Sequence, residues 1–317
     1  MKKFFCTLIF FSFIIQSSFA SEIDSIRINA TSEGFLLDGI ILKKSGHKQK
    51  MPVIIFLVGS GGNSSHNTNY KSFNHFFLEK TFLENGFAIV YFDKRGVGKS
   101  QGIWYETTFE QRALDAKNVA MELKNFAFID VSKIFLTGHS QGGWIVQIAL
   151  AQYPEIFAGG VSMAGATFGV KKQLINDYQS KFICQKKFDD NKALKKATRK
   201  VNQDLFFVSL LGRKGNWKQL KLIKTFEPEP YLKKIHQPFL MLFGENDELV
   251  NSIWSTDELK RIFTNIPINF ETYIAKGEDH SFKISSKCYN GTQADIYYSA
   301  TTQQKLFSWM NLQANKN

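Results

Sequence analysis

Short apolar runs recur along this chain, and segments of helical spacing separate them. Each run is too short for a buried helix and is rich in β-branched and aromatic residues, which is typical of strands buried on both faces. Strands that alternate with helices predict an α/β fold, a mostly parallel sheet covered by helices on both faces. The candidate strands are residues 25–30, 35–42, 52–58, 88–92, 134–136, 160–163, 239–243 and 270–274, of which the first two predict an antiparallel start to the sheet. The candidate helices are residues 73–84, 108–125, 142–152, 255–263 and about 293–312.

One stretch, residues 168–236, interrupts this alternation. It contains no run of the strand kind, only Lys-, Gln- and Phe-rich sequence with helical spacing. Because structureless loops of that length are rare in compact domains, we expect a helical cap inserted between two strands. The chain has 44% hydrophobic residues and only 6 prolines, which excludes a disordered protein. The sequence therefore predicts one domain over residues 21–317 that carries this cap.

The positive charge of the chain is concentrated in the cap. Between Lys171 and Lys224, 15 Lys and Arg residues stand against 4 Asp and Glu, a local net charge of +11 out of +12 for the whole chain. A basic segment suits nucleic acid, an anionic membrane surface or an acidic substrate, but a solvated helical face is the interpretation we favour. No nucleic-acid motif or interleaved aromatic platform is present, so no nucleic-acid partner is expected. Contact of the basic, Phe-rich cap with an anionic membrane surface stays open, and the sequence does not predict an oligomeric state.

The first twenty residues have the parts of a secretory signal. A basic start at Met1-Lys2-Lys3 precedes an apolar run over residues 4–19, with small side chains at Ser18 and Ala20. The run is shorter than the about 20 apolar residues of a membrane-spanning helix. We therefore predict a signal peptide over residues 1–20, cleavage after Ala20 and a periplasmic or secreted mature protein.

Two cysteines follow the predicted signal, Cys184 and Cys288. An exported protein meets an oxidising compartment, where two cysteines can pair. The sequence leaves the disulfide open, because it does not give the distance between the two Cα atoms. Neither cysteine has the spacing of a metal ligand, so no metal is expected.

The segment Gly138-His139-Ser140-Gln141-Gly142 lies between an apolar strand and a helical pattern that begins at Trp144. This is the Gly-x-Ser-x-Gly pattern, which presents a serine on a tight strand-to-helix turn. Glycines are needed on both sides because side chains there collide with the turn. The N–H groups at the start of the helix point toward the serine, where an oxyanion must be stabilised. Ser140 is therefore the candidate nucleophile.

A serine hydroxyl needs a base to take its proton. Asp247 follows the strand at 239–243, and His280 follows the strand at 270–274, so both lie at the carboxyl edge of the predicted sheet. The chain order of serine, acid and histidine suits the same turn pattern. We predict His280 as the base and Asp247 as the acid that orients it, with Glu245 or Asp279 as alternatives for the acid.

The other histidines fit the base role less well. His139 lies inside the turn itself and is interpreted as a packing residue. His66 and His75 precede the serine, which is the wrong order for this arrangement.

An oxyanion site needs a second backbone donor besides the N–H of Gln141. Gly59-Ser60-Gly61-Gly62 follows the strand that ends at Val58, where such a donor belongs. Small residues let the main chain approach a substrate oxygen closely. Ser60 is the predicted donor, and Gly61 is the alternative.

The segment from Asp93 to Ser100 ends in Gly98-Lys99-Ser100, as a phosphate-binding P-loop does. That motif requires glycine where Asp93 stands, so a nucleotide site is not predicted. We expect instead a loop that carries buried Asp93–Arg95 contacts, beside the mouth of the site.

Together these motifs resemble the α/β-hydrolase superfamily, in its serine esterase and acyl-peptidase-like branch. The matching segments are residues 59–62, 93–100, 138–142, 244–247 and 279–280. The resemblance implies an eight-stranded sheet, a Ser140–His280–Asp247 triad and no cofactor. One departure is that Val58 precedes Gly59, where many relatives carry His-Gly.

The function expected from these residues is hydrolysis of a carboxylic ester, with a small-molecule acyl substrate. Cleavage of an amide, as in a peptidase or acyl-peptidase, is the first alternative. A non-catalytic binding protein on the same fold is the second alternative. The cap has no recognised counterpart, and the sequence does not identify the substrate.

Overall fold

The computed structural model describes residues 22–67, 70–292 and 294–316, so the predicted signal peptide lies outside the described residues. The described chain forms one eight-stranded sheet in the order β1-β2-β4-β3-β5-β6-β7-β8. The β1–β2 and β2–β4 pairs are antiparallel and the other pairs are parallel. The strands are β1 (Ile23–Ser32), β2 (Phe35–Lys44), β3 (Met51–Leu57), β4 (Ala88–Phe92), β5 (Ile129–His139), β6 (Gly159–Met163), β7 (Phe239–Gly244) and β8 (Phe270–Ala275).

The predicted sheet is confirmed, including its antiparallel start. β5 is longer than predicted, because it runs from Ile129 to His139 and not only over residues 134–136. Its first half contains the polar residues Asp130, Ser132 and Lys133, none of them buried, so the apolar pattern indicates only the buried second half. Pairing of Ile129 with Met51 on β3 holds this first half in the sheet.

Helices cover both faces of the sheet. Their bounds are α1 (Lys71–Asn74, continued by π-type turns over His75–Leu83), α2 (Phe109–Glu122), α3 (Gln141–Gln152), α4 (Val170–Lys186), α5 (Asp190–Leu211), α6 (Gly215–Ile223), α7 (Glu229–Leu232), α8 (Ser252–Ile262) and α9 (Ala300–Ala314). None of the helices in the described part of the chain is long and apolar enough to cross a membrane.

Alternation along the central strands divides the core into two layers. On β3, Val53, Ile55 and Leu57 belong to the layer that contains α2 and α3. Ile54 and Phe56 point to the other face, where they join the layer that contains α1 and α9. Both faces of the strand are buried, which explains its continuous apolar sequence.

The predicted final helix begins later than expected, at Ala300 and not near residue 293. The preceding residues have other backbone partners: Thr292 and Asp295 form a turn, and the carbonyl of Tyr297 accepts the N–H of Ile284. Ser299 then caps the helix by accepting the N–H of Thr302. Because these residues form other backbone hydrogen bonds, the helix begins at Ala300 and not near residue 293, where the sequence predicts it.

Helices α4 to α7 occupy the segment between β6 and β7, where the cap is predicted. A disulfide joins Cys184 on α4 to Cys288, with their Cα atoms 5.0 Å apart. Cys288 lies in the segment between His280 and α9, so the bond ties the first cap helix to the loop that follows the candidate base. The pairing that the sequence left open is thus present.

Candidate active site

Ser140 lies on the turn between β5 and α3, with φ +56° and ψ −122°. This backbone conformation is strained for a residue other than glycine, and strain of this kind concentrates at functional sites. The surrounding glycines are obligatory here. A Cβ at Gly138 would lie 2.3 Å from the carbonyl oxygen of Gly142, and one at Gly142 would lie 2.0 Å from that of Leu57. The spacing of the motif therefore follows from steric limits on the turn.

His280 and Asp247 meet at the carboxyl edge of the sheet. The Nδ1 atom of His280 lies 2.7 Å from Oδ2 of Asp247. The other carboxylate oxygen accepts the N–H groups of Leu249 and Val250, at 2.7 and 2.8 Å. Because Asp247 accepts at Nδ1–H, the Nε2 atom of the neutral ring is left as a proton acceptor.

The two alternative acids contact other groups. Glu245 accepts the N–H of Gly277, and Asp279 accepts the N–H groups of Ser281 and Lys283. Among the described residues, the carboxylate hydrogen-bonded to the His280 ring is that of Asp247.

The electrostatics of His280 combine two opposing effects. Burial by itself lowers the pKa of the imidazole, but the adjacent carboxylate of Asp247 outweighs it, so the pKa is raised above its ordinary value. The Asp247 carboxylate therefore stabilises the charged imidazole. A residue that acts as a base requires this, because it holds a proton during the reaction.

His280 and the serine turn are joined through His139. The rings of His139 and His280 lie 4.9 Å apart, and His139 immediately precedes Ser140. In the described part of the chain no hydrogen bond links the Ser140 hydroxyl to the His280 ring. Hydrogen bonds of this kind are often long before substrate binds and tighten only in the complex.

His139 is more than the packing residue that the sequence suggested. Its Nε2 lies 2.9 Å from the carbonyl oxygen of His280, and its Nδ1 lies 2.9 Å from the hydroxyl of Tyr70. Burial lowers the pKa of His139 to about 3, so its ring is neutral. A carbonyl only accepts, so Nε2 carries the proton and Nδ1 accepts from the Tyr70 O–H.

The chain of donors continues to the glycine-rich loop. The N–H of Gly59 donates to the Tyr70 oxygen at 3.0 Å. One series of hydrogen bonds thus runs through Gly59, Tyr70, His139 and the backbone of His280, and every donor in it has an acceptor. The series connects the loop after β3 to the loop after β8 and includes His139, the residue before Ser140.

Two buried basic side chains hold the backbone on the two sides of the candidate oxyanion site. Lys94 donates to the carbonyl oxygens of Gly59, at 3.0 Å, and Gly61. Arg112 donates to the side chain of Gln141 at 2.7 Å and to the carbonyl of Val58 at 2.5 Å. Burial lowers the pKa of Lys94 well below its usual range and that of Arg112 to about 10.

The contact between Asp93 and Arg95 that the sequence predicts in the loop from Asp93 to Ser100 is wrong, because each residue pairs with other groups. Arg95 pairs with the buried Asp115 at 2.6 Å and with Glu33 at 2.8 Å. Asp93 accepts the hydroxyl of Ser64 at 2.7 Å. These contacts fix the loop that carries Lys94.

A cavity of about 460 Å³ opens in front of Ser140. Ser60, Gly61 and Gln141, the candidate oxyanion residues, line it together with Ser140. The cap closes its other side: α4 contributes Asp177, and α6 contributes further residues. The cap wall combines apolar and polar side chains, which are Val170, Leu174, Leu220 and Ile223 with Gln173, Asp177, Asn216 and Gln219.

One group among the described residues has the composition of a metal site: Cys184, Glu248 and Cys288. Its two sulfur atoms form the disulfide, so they offer no thiolate to an ion. Glu248 accepts the N–H of Cys288 at 2.9 Å. The group therefore fastens the loop after Asp247 to the disulfide and is not interpreted as a metal centre.

The fold and the site define an α/β hydrolase. Its eight-stranded sheet carries a strained serine after β5, an acid after β7 and a histidine after β8. The chain belongs to the serine aminopeptidase S33 family, whose model matches residues 61–280. It is thus a hydrolase of the group that contains esterases and peptidases.

Curated relatives match the chain in part. It is 28% identical to dipeptidyl peptidase 8 of Mus musculus over 144 residues, which are 43% of this chain and 16% of that protein. It is 23% identical to a bifunctional esterase/perhydrolase of Acinetobacter calcoaceticus over 192 residues, 53% of this chain and 67% of that one. The chain therefore spans less than a fifth of the dipeptidyl peptidase that it matches.

Solved structures resemble nearly the whole chain. An esterase of Pyrococcus furiosus gives a TM-score of 0.62 at 17% identity, over 92% of this chain and 91% of that one. An esterase of Butyrivibrio proteoclasticus, with ferulic acid bound, gives 0.60 at 19% identity, over 91% of this chain and all of that one. At such identities the likeness shows the fold.

Proposed function

We propose that this protein hydrolyses carboxylic esters through an acyl-enzyme formed on Ser140, with His280 as base and Asp247 as the acid that orients it. The observation that supports this most is the 2.7 Å contact between His280 and a fully buried Asp247 carboxylate, beside a serine held at a positive φ. A binding protein has no need for these three groups at one edge of a sheet.

In the proposed reaction, the Ser140 hydroxyl oxygen attacks the ester carbonyl while Nε2 of His280 takes its proton. The protonated ring then gives this proton to the leaving alcohol, and water repeats the sequence on the acyl-enzyme. The N–H groups of Gln141 and Ser60 bind the oxyanion, each lowering the barrier by about 3 kcal/mol. Arg112, buried behind these residues with a pKa of about 10, adds positive potential at the site where negative charge develops.

The test is the rate of p-nitrophenyl ester hydrolysis by Ser140→Ala. Turnover should vanish while the circular dichroism spectrum is unchanged. Ser60→Ala is the matched control, because it keeps the backbone N–H and should retain activity, whereas Ser60→Pro removes the N–H and should lose most of it. Full activity in Ser140→Ala would refute the proposal, and a wild-type chain with no activity toward esters or amides would favour the binding-protein alternative.

A peptidase activity is the second candidate, and one observation favours it. Asp177 places a carboxylate on the cap wall of the cavity, where it can bind the ammonium group of a peptide N-terminus. Lys181 already pairs with it at 2.8 Å, so an incoming amine would compete with this lysine. Kinetics on an aminoacyl anilide separate the candidates. Asp177→Asn should raise KM for the anilide and leave KM for the neutral ester unchanged if the amine is recognised there, and equal effects on both would exclude this role.

We also propose that the chain is exported after cleavage of residues 1–20. The Cys184–Cys288 disulfide supports this, because such bonds persist in oxidising compartments and are rare in the cytosol. N-terminal sequencing of protein recovered from the periplasm or medium should begin at Ser21. Recovery of the uncut chain from the cytosol alone would contradict export.

A further inference from the structure

The outer surface of the cap exposes an unusual group of large apolar side chains. They lie at the end of α5 and the start of α6, and we call them the cap tip. Their exposed fractions are 60% for Phe206, 48% for Phe207, 58% for Leu210, 59% for Leu211 and 51% for Trp217. Soluble proteins rarely leave large apolar residues contiguous on the surface unless they bind something.

The packing of α5 against the rest of the protein does not account for the exposure of these apolar side chains. The helix buries small side chains at Ala193, Ala197 and Val201, with Val208 two turns later. The large apolar side chains at its C-terminal end, Phe206, Phe207, Leu210 and Leu211, are instead exposed. An amphipathic helix that serves only the core does the reverse, because large apolar side chains gain most from burial. The cap tip therefore contributes little to folding.

Cations without ion pairs surround the cap tip. Lys195 and Arg199 share one surface groove of α5 with Phe206 and Phe207. Arg213 and Lys214 are exposed between Leu211 and Trp217. Within the described residues these four cations have no carboxylate partner, whereas the nearby Lys200 and Lys218 are paired with Asp204 and Glu106.

We propose that the cap tip is a docking surface for an anionic lipid bilayer. The aromatic and leucine side chains would lie at the boundary between headgroups and acyl chains, while the four cations contact lipid phosphates. A second copy of the chain fits less well, because it would bring two sets of like charges together. A nucleic acid would use the cations and leave Leu210 and Leu211 without a partner.

The position of α6 links this surface to the cavity. Asn216 and Gln219 on this helix line the cavity, whereas Trp217 and Lys221 are exposed to solvent. A bilayer in contact with the cap tip would therefore lie one helix away from the space in front of Ser140.

The test is cosedimentation with vesicles of phosphatidylcholine, with and without phosphatidylglycerol, using Ser140→Ala so that binding is measured without hydrolysis. The chain should bind the anionic vesicles, and raising salt from about 50 to about 500 mM should release it. The double variant Lys195→Glu/Arg199→Glu should bind more than about tenfold more weakly, at roughly 1 kcal/mol per cation. Lys48→Glu/Lys50→Glu is the matched control, since it makes the same charge change at exposed positions before β3 and should bind as the parent does.

A second pair of variants tests the apolar half of the surface. Phe206→Ser/Leu210→Ser should weaken binding and keep its salt dependence, because the cations remain. Every variant carries the same N-terminal segment, so the differences between variants report the cap alone. Equal binding to neutral vesicles, binding that salt does not weaken, or equal loss in the control variant would overturn the proposal. Failure of these tests would leave the proposed ester hydrolysis intact, since soluble-ester turnover is measured separately.

Discussion

The carboxyl edge of the sheet and the cap differ in which side chains they bury: the edge buries polar groups, and the cap exposes large apolar ones. At the edge, Tyr70, Lys94, Arg112 and His139 are buried polar groups whose hydrogen bonds fix the backbone of the site. In the cap, α5 buries alanines and exposes phenylalanines. The serine turn at this edge tolerates almost no change of shape, because a Cβ at Gly138 or Gly142 would collide with a backbone carbonyl.

This contrast suggests a division of labour. The edge holds groups in place for a reaction, which demands positions fixed within a fraction of an ångström. In our proposals the cap wall of the cavity faces the substrate and the cap tip faces a membrane, so the cap would determine what reaches the reaction. Four predictions test whether this division is real.

The largest expected effect is on the rate at the edge. Asp247→Asn should lower kcat by about 10⁴-fold, because the amide no longer holds the proton-bearing Nδ1 or stabilises the charged ring. The wild-type activity should fall as pH drops through the raised pKa of His280, since only the neutral ring acts as base. In the variant this limb should move to lower pH, because loss of the carboxylate lowers the pKa.

The pH profile of kcat/KM checks this prediction. Asp257→Asn is the control, because it makes the same change at an exposed position on α8. An unmoved acid limb in Asp247→Asn would show that Asp247 does not set the pKa of His280.

The next effect is on stability at the serine turn. Gly142→Ala should lower the free energy of unfolding by more than about 3 kcal/mol, because its Cβ would lie 2.0 Å from a backbone carbonyl that has no free space. Gln203→Ala on the exposed face of α5 should change it by less than about 0.5 kcal/mol. Urea unfolding measures both, and equal costs would abolish the contrast between the edge and the cap.

The disulfide is where the two regions are joined. Cys184→Ser/Cys288→Ser should lower the free energy of unfolding by about 3 kcal/mol, because the bond closes a loop of 104 residues in the unfolded chain. Reduction of the wild-type protein should reproduce this loss, and reductant should have no effect on the double variant. A double variant as stable as the oxidised parent would mean that the cap is held to the edge without this bond.

The smallest effect concerns the series of hydrogen bonds that includes Tyr70 and His139. Tyr70→Phe leaves the N–H of Gly59 and Nδ1 of His139 without partners, at a cost of about 2 kcal/mol. We expect kcat to fall roughly tenfold with KM unchanged, because the oxyanion loop loses a support that matters in the transition state. Tyr297→Phe, which removes an exposed hydroxyl, should change neither constant. A rise in KM alone would assign Tyr70 to substrate binding.

The sequence predicts the centre of the sheet well, because β3, β4, β6 and β7 are buried on both faces and leave a continuous apolar pattern. Chemistry in such a fold lies at strand ends, so the sequence predicts Ser140, Asp247 and His280 as candidates because each follows a strand. The residues that support them were not visible, because Tyr70 and His139 act through contacts between distant segments. Arg112 had a weak signal, since it interrupts the buried apolar stripe formed by Phe109, Ala113 and Ala116 on α2. The exposed face of α5 could not be predicted, because helical spacing does not show which side packs.

The central claim is that Ser140 is the nucleophile that the His280–Asp247 pair activates. Peptide mass spectrometry of the chain after reaction with a fluorophosphonate tests it most directly. We predict one covalent adduct, on Ser140, whose rate of formation falls together with hydrolysis in Asp247→Asn. An adduct on another residue, or hydrolysis that continues after complete labelling of Ser140, would contradict the account.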